Sequence, residues 1–255
     1  MLTEDQRERL EVVLVSPRNP LNIGAVARAM ANFGFGRLTV VAPYAPHWRE
    51  ARSAVGAPEL LTHARETATL ADAVEQCTLV AGTGTLTYRK PESKVVRLPE
   101  LPLLIAGELA RGVRIALVFG PEKHGLTRED LSYCHVLVEV PTDARQPSMN
   151  LGQAVAVCLY ELAVRACLSD LSPQETAQKP GAPSGILDLV AGLVEETMRA
   201  AGYSPRSMQA ANRHDLRLML RRLALSEPDA RRVLGLFRRV LWRLKPKPGI
   251  DDKSY

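Results

Sequence analysis

Val12-Val-Leu-Val-Ser-Pro-Arg-Asn-Pro-Leu-Asn-Ile-Gly-Ala-Val-Ala-Arg28 reads as a strand, a polar turn and the start of a helix. Val12–Val15 is a continuous apolar run of the kind that a parallel sheet buries on both faces. Ser16-Pro-Arg-Asn19 breaks the run with turn-forming residues. The arrangement recurs twice. Ile115-Ala-Leu-Val-Phe119 leads into Gly120-Pro-Glu-Lys-His-Gly125, and Val136-Leu-Val-Glu-Val140 leads into Pro141-Thr-Asp-Ala-Arg-Gln-Pro-Ser-Met-Asn-Leu151. Loops at strand ends carry ligand sites in α/β proteins, because they expose backbone donors and acceptors on a rigid frame. Three such loops point to one composite pocket.

Outward from these stretches, strands are predicted at 12–15, 38–42, 78–81, 115–119 and 136–140, with a weaker extended stretch at 94–98. Helices are predicted at 22–34, 50–55, 59–64, 70–76, 101–111, 127–133 and 150–168, the first ended by Gly34 and Gly36. Strand–helix alternation with near-continuous apolar strands implies an α/β fold whose parallel sheet is covered on both faces. Residues 169–185 lack periodicity and hold three prolines, which reads as a linker between a domain at 1–168 and a helical extension at 186–255. Helices are expected there at 186–201, 212–225 and 228–245. Ser226 and Pro228 stand near cap and first-turn positions of the last one. In it Arg232, Arg239 and Arg243 share a face opposite Leu234, Phe237, Leu241 and Leu244.

A chain of 255 residues with 46% hydrophobic content suffices for one large domain and a smaller one. It has no apolar stretch near the roughly 20 residues that span a bilayer, and its charged N-terminus lacks a signal peptide's apolar region. Cys77, Cys134, Cys158 and Cys167 have no metal-ligand spacing and read as reduced, mostly buried thiols of a cytoplasmic protein. The net charge of +5 is uneven: residues 186–255 hold 14 Lys and Arg against 8 Asp and Glu, and the remainder is close to neutral. That surplus fits a polyanion partner or a solubilising helix face.

Two familiar phosphate-binding patterns fail. Gly82-Thr-Gly84 lacks the third glycine of the dinucleotide fingerprint and is followed by Tyr88-Arg-Lys-Pro91 rather than a helix. Gly120–Gly125 has phosphate-loop spacing, but Leu126 stands where the lysine must be. His47, His63, His124, His135 and His214 form no ligand set, so no metal is indicated, and His124 reads as a surface-loop residue. Asn22 and Arg28 lie about 240° apart on a helix that starts at 22. Either Asn22 is a helix cap and Arg28 a solvated cation, or the two serve different surfaces of one site.

Together, Asn22-Ile-Gly-Ala-Val-Ala-Arg28, Leu117-Val-Phe-Gly-Pro-Glu-Lys-His-Gly-Leu126 and Ser148-Met-Asn-Leu-Gly-Gln-Ala-Val155 resemble the three motifs of the SpoU-type RNA 2′-O-ribose methyltransferases of the SPOUT class. The ending Gln153-Ala-Val155 and the helical extension are most similar to the TrmJ branch, which modifies tRNA. The resemblance implies a deep trefoil knot from roughly Gly82 to Ser169, a feature that general rules of chain topology argue against. It implies S-adenosyl-L-methionine as cofactor, held by Thr83, Gly84, Thr85, Gly120, Val140, Pro147, Ser148 and Met149. Glycines suit a ligand held by main-chain groups.

The catalytic set implied is Arg28, Asn22, Glu122, Ser148 and Asn150, in a homodimer whose partner supplies Arg28. The family assigns this arginine to proton removal. A guanidinium is a poor proton acceptor, so a clamp on phosphate or on the 2′-oxygen is the sounder role. Asn22 and Asn150 would orient ribose and loop backbones. Glu122 would tie the second loop through backbone donors or touch substrate. Arg217, Arg221, Arg222, Arg232 and Arg239 would bind tRNA phosphates. The reaction expected is methylation of cytidine or uridine at nucleotide 32. Ribosomal RNA as target, or a non-catalytic RNA-binding protein with this fold, are the alternatives.

Overall fold

A computed structural model describes residues 2–85, 90–166, 179–203 and 205–245. Among them, seven strands form one sheet: β1 (Leu10–Val15), β2 (Arg37–Val41), β3 (Arg65–Thr67), β4 (Cys77–Thr83), β5 (Lys94–Arg97), β6 (Arg114–Phe119) and β7 (Val136–Glu139). The order is β3-β2-β1-β6-β4-β7-β5, and every neighbouring pair is parallel. The helices are α1 (Glu4–Arg7), α2 (Pro20–Phe33), α3 (Pro58–His63), α4 (Leu70–Val74), α5 (Leu101–Ala110), α6 (Arg128–Ser132), α7 (Leu151–Arg165), α8 (Ser184–Ala200), α9 (Gln209–Arg222) and α10 (Glu227–Leu244).

Every residue of β1 is buried, because alternate side chains serve opposite faces that are both covered. Val12, Leu14 and Leu117 pack with Ile23 and Met30 of α2, Ile105 of α5 and Leu159 of α7. Val13, Val15 and Val118 meet Leu70 and Val74 of α4, and Leu126. On this second side α8 lies against α4 and β4, α10 packs on α8, and α9 reaches α6. The extension is therefore docked on the sheet rather than merely tethered to it. Among the described residues no helix is long and apolar enough to cross a membrane. Cys77, Cys134 and Cys158 are buried free thiols, and burial pushes each pKa up to about 12.

Several local expectations change. The helix expected at 50–55 is replaced by one 3₁₀ turn, Trp48–Glu50. Tertiary contacts override its helical pattern: Trp48 is buried, and Ser53 Oγ donates to Leu21 O at 2.6 Å. Gly24 lets the segment that follows press onto α2, since a Cβ there would lie 2.8 Å from Ala54 N. β3 was not anticipated, because three residues on a sheet edge carry too little apolar pattern. α2 begins at Pro20 with Asn19 as cap, its side chain accepting from Leu21 N at 3.0 Å. Asn22 is thus not the cap. Gly34 ends α2 at φ +73°. Ser226 caps α10 by accepting from Asp229 N. Within the expected linker, 169–178 lies outside the described residues. Ala182 is buried, its N–H donates to Leu225 O at 2.7 Å, and α8 already starts at Ser184. The end of that segment is therefore packed structure.

Candidate functional site

The sheet order sets β1, β6, β4 and β7 side by side, so the loops leaving their carboxyl ends are neighbours, where open α/β sheets place ligands. Ser16 turns the chain out of β1 at φ +45°, and its N–H donates to Val41 O at 2.8 Å. Gly120 follows β6. A Cβ on it would lie 2.2 Å from Leu126 N and 2.3 Å from Gly125 C, so the second loop can close on itself only with glycine here. The sequence reading gave this glycine to ligand approach; the loop's own turn already requires it. The third loop is pinned by Thr142 Oγ1, which donates to Pro147 O at 3.2 Å. Asn150 ends it by capping α7, its Oδ1 accepting from Gly152 N at 2.9 Å.

These loops enclose a cavity of about 250 Å³. Thr83, Gly84, Thr85, Gly120, Val140, Pro147, Ser148 and Met149, the eight residues expected at the cofactor, all line it. Phe119, Leu151 and Ala154 add apolar wall, and Thr83 Oγ1 donates across the sheet to Val118 O at 3.0 Å. At Gly84 a Cβ would meet only Leu137 Cδ1, at 3.5 Å, so the fold leaves that position open toward the cavity.

One hydrogen-bonded chain ties the three motifs. Asn150 Nδ2 donates to Asn22 Oδ1 at 2.9 Å, and Asn22 Nδ2 donates to Glu122 Oε1 at 2.9 Å. Glu122 Oε1 also accepts from Asn19 N at 3.2 Å, and its Oε2 accepts from Arg18 N at 3.1 Å. Glu122, on the second loop, is thus tied to the first loop through the backbone donors of Arg18 and Asn19. Burial opposes the charge on Glu122. The bonds from Asn22 and from backbone N–H groups outweigh it and hold the carboxyl below its ordinary 4.5. Among the residues lining the cavity Glu122 is the one carboxylate, and its oxygens are already engaged.

Ser148 and Glu122 line the cavity, whereas Asn22 and Asn150 stand behind Glu122. Arg28 is exposed on α2 and is not part of the cavity wall. Sequence reasoning missed Arg18 and Asn19, although both lie in the first polar cluster. It also set aside His124, which is exposed yet lines the cavity. Its place between Gly120 and Gly125 was the available signal. Among the described residues no group of His, Cys, Asp and Glu could hold a metal ion.

The extension needs a correction. Arg221, expected at RNA phosphates, has a side chain 2% exposed and pairs with Asp188 Oδ1 at 3.0 Å. Arg217 pairs with Glu129 of α6 and lies 4.2 Å over the Tyr133 ring. Both cations face inward, because buried or shielded guanidinium groups require carboxylate partners: Arg217 docks the extension on α6, while Arg221 ties α9 to α8 within the extension and reaches the Tyr133 ring at 5.6 Å. Arg222, Arg232 and Arg239 are exposed, with Arg232 paired to Asp229 at 3.1 Å.

An all-parallel α/β sheet with a cavity at its strand ends, and a basic helical unit docked beside it, defines a candidate small-ligand site. The chain belongs to the SpoU rRNA Methylase family, whose sequence profile matches residues 9–160. It is 38% identical over 156 residues to the tRNA (cytidine/uridine/adenosine-2′-O-)-methyltransferase TrmJ of Pseudomonas aeruginosa, a match spanning 61% of this chain and 60% of that one. To the tRNA (cytidine-2′-O-)-methyltransferase TrmJ of Methanocaldococcus jannaschii it is 35% identical over 176 residues, 67% and 75% of the two chains. To the Citrobacter koseri TrmJ it is 32% identical over 204 residues, 77% and 81% of the two. The crystal structure of TrmJ from Z. mobilis ZM4 superposes with a TM-score of 0.79 at 27% identity, covering 90% of this chain and 98% of that one.

Proposed function

We propose that this chain methylates the ribose 2′-oxygen of tRNA at nucleotide 32, on cytidine or uridine, using S-adenosyl-L-methionine. The observation that carries this reading is the hydrogen-bonded line from Asn150 through Asn22 to Glu122 beside a cavity walled by the eight expected residues. The relatives' activity on tRNA 2′-oxygens supports the substrate. The cavity suits the cofactor: Phe119, Val140 and Leu151 offer apolar surface for a base, and the loops offer main-chain groups. The cofactor supplies a methyl group on a sulfonium centre, a leaving group that departs neutral.

The protein's own work is positioning. The loops fix the donor, Ser148 lies at the cavity wall, and Arg28 clamps the phosphate or the 2′-oxygen and stabilises charge developing there. Arg28 cannot do this for its own cavity, whose wall it does not join, so it serves the cavity of a second copy. A further observation supports a homodimer. Val157, Tyr160 and Val164 form an exposed stripe on α7, with Tyr160 edge-on to Phe33 of α2 at 6.0 Å, the helix that carries Arg28. The knot between roughly residues 82 and 169, the division into domains at 1–168 and 186–255, and a cytoplasmic location are part of the same reading.

The test is incubation of purified protein with S-adenosyl-L-methionine and unmodified tRNA, followed by mass mapping of ribose methylation. The reading expects one 2′-O-methyl group at nucleotide 32. A methyl group on a base, or none on tRNA while ribosomal RNA is modified, contradicts it.

A further inference from the structure

The outward side of α10 carries an aromatic residue that neither the core nor the cavity uses. The helix packs on α8 and buries Ala230 and Leu241, and Val233 and Leu234 join the cluster of Val190, Ala191 and Leu220. Trp242 follows Leu241 by one residue, so it projects roughly 100° round the helix from that buried line. It is 56% exposed. Two guanidinium groups flank its ring, Arg239 at 4.6 Å and Arg243 at 5.2 Å from the centroid.

Among the described residues, the charge around Trp242 is uncompensated. Toward the start of α10, Arg231 pairs with Glu227 and Arg232 with Asp229, and at its end Lys245 pairs with Glu196. Leu236–Leu244 contains no acid. Among the described residues Arg239 and Arg243 form no ion pair with a carboxylate. A half-exposed indole with two guanidinium groups beside it, neither paired to a carboxylate among the described residues, offers surface for stacking and donors for phosphate. A second copy of this chain fits poorly, since a two-fold contact through the patch would set the arginines of one chain against those of the other.

We propose that Trp242, with Arg239 and Arg243, is a stacking platform for an unpaired nucleotide of the RNA substrate, separate from the methyl-transfer cavity. This rests on the reading of RNA as substrate, and the experiment separates the two. The chain has two tryptophans, and Trp48 is 1% exposed, so a quench by ligand at the surface reports Trp242. Full-length protein, Trp242→Phe and Trp242→Ala are titrated with tRNA and with oligouridylate, following emission and, independently, anisotropy of labelled RNA.

Wild-type emission falls on binding and that of Trp242→Phe does not. Trp242→Ala binds tRNA roughly tenfold more weakly, and Trp242→Phe within about threefold of wild type. Arg239→Gln and Arg243→Gln each lower the slope of log affinity against log salt by about one. If tRNA binds but Trp242→Ala binds equally well and emission stays constant, the platform is overturned while the RNA reading stands. If wild type binds no tRNA at any salt concentration, the RNA reading fails and the platform with it. If Trp242→Ala turns a dimer into a monomer by sedimentation, the residue belongs to a subunit interface and the platform is likewise overturned.

Discussion

Asn22 donates its side-chain amide to Glu122, 100 residues away, at 2.9 Å, and in doing so locks the first polar loop onto the second. Asn150 completes the lock from the third loop. Glu122, at the end of this line, is itself part of the cavity wall.

Breaking the line should loosen the cavity without unfolding the sheet. Glu122→Gln removes the charge that accepts from Arg18 N and Asn19 N, bonds worth about 1 kcal/mol each at a partly exposed site. Calorimetric titration with S-adenosyl-L-methionine should give roughly tenfold weaker binding, with far-ultraviolet dichroism unchanged. Wild-type affinity in this variant would mean that Glu122 braces nothing the cofactor needs.

Gly120 and Gly84 should respond differently to alanine. At Gly120 the new methyl would meet Leu126 N at 2.2 Å, which forces the loop to shift at a cost of about 1–3 kcal/mol. At Gly84 the contact is an ordinary 3.5 Å, so stability should change by less than about 1 kcal/mol, while the methyl would intrude on the cavity and weaken binding of the proposed cofactor. Urea melts paired with cofactor titration separate the two effects. Equal stability loss in both variants would contradict the distinction.

Arg221 and Arg222 are adjacent in sequence and opposite in role. Arg221→Ala leaves the half-buried Asp188 of α8 without its partner and removes the guanidinium that lies 5.6 Å from the Tyr133 ring centroid; it should cost about 3 kcal/mol, loosening α9 from α8 and weakening the hold of the extension on Tyr133. Arg222 is exposed, and its alanine variant should stay within about 0.5 kcal/mol of wild type. Limited proteolysis between residues 166 and 184 reads the loosening directly. Resistance equal to wild type in Arg221→Ala would exclude a docking role.

Acid should weaken the fold before the carboxylates titrate. His135 Nδ1 accepts from Val80 N at 3.1 Å, and burial first, then the Arg221 charge, pushes its pKa down from 6.5 to about 3. Near pH 6 the unfolded chain takes up a proton that the folded one refuses. Stability is therefore full above 6.5 and falls with acid toward 3, by at most about 1.4 kcal/mol per pH unit. Glu92, held near 2 by bonds from Arg128 and His214, loses its contribution only as pH falls below 4.5. Burial raises the Glu108 carboxyl above its ordinary 4.5, an effect of opposite sign in the same window, so the comparison with a His135 variant is what isolates His135. His135→Asn should flatten the stability profile there; an unchanged slope would assign the acid sensitivity elsewhere.

The polar clusters and their strands were legible because apolar runs of four or more residues end abruptly in Gly, Pro and Asn. What joined them was not legible. Nothing in the spacing of Asn22 and Glu122 specifies a hydrogen bond, which depends on β6 pairing directly with β1. The inward arginines were misread for a related reason. Arg217 and Arg221 look like any basic helix face until α6 and Asp188 are placed against them. Residues 50–55 failed as a helix because Gly24 and Ser53 draw the segment onto α2, a contact that local pattern does not encode.

The central claim is a cavity completed by the arginine of a sister chain, and subunit mixing tests it most directly. Arg28→Ala keeps an intact cavity and Glu122→Ala keeps an intact Arg28, and each homodimer should be inactive. Refolded together in equal amounts, they should regain about a quarter of wild-type methyl transfer, because half the dimers are mixed and each holds one complete site. A mixture as inactive as its two components would place Arg28 in its own chain's site or outside the mechanism altogether.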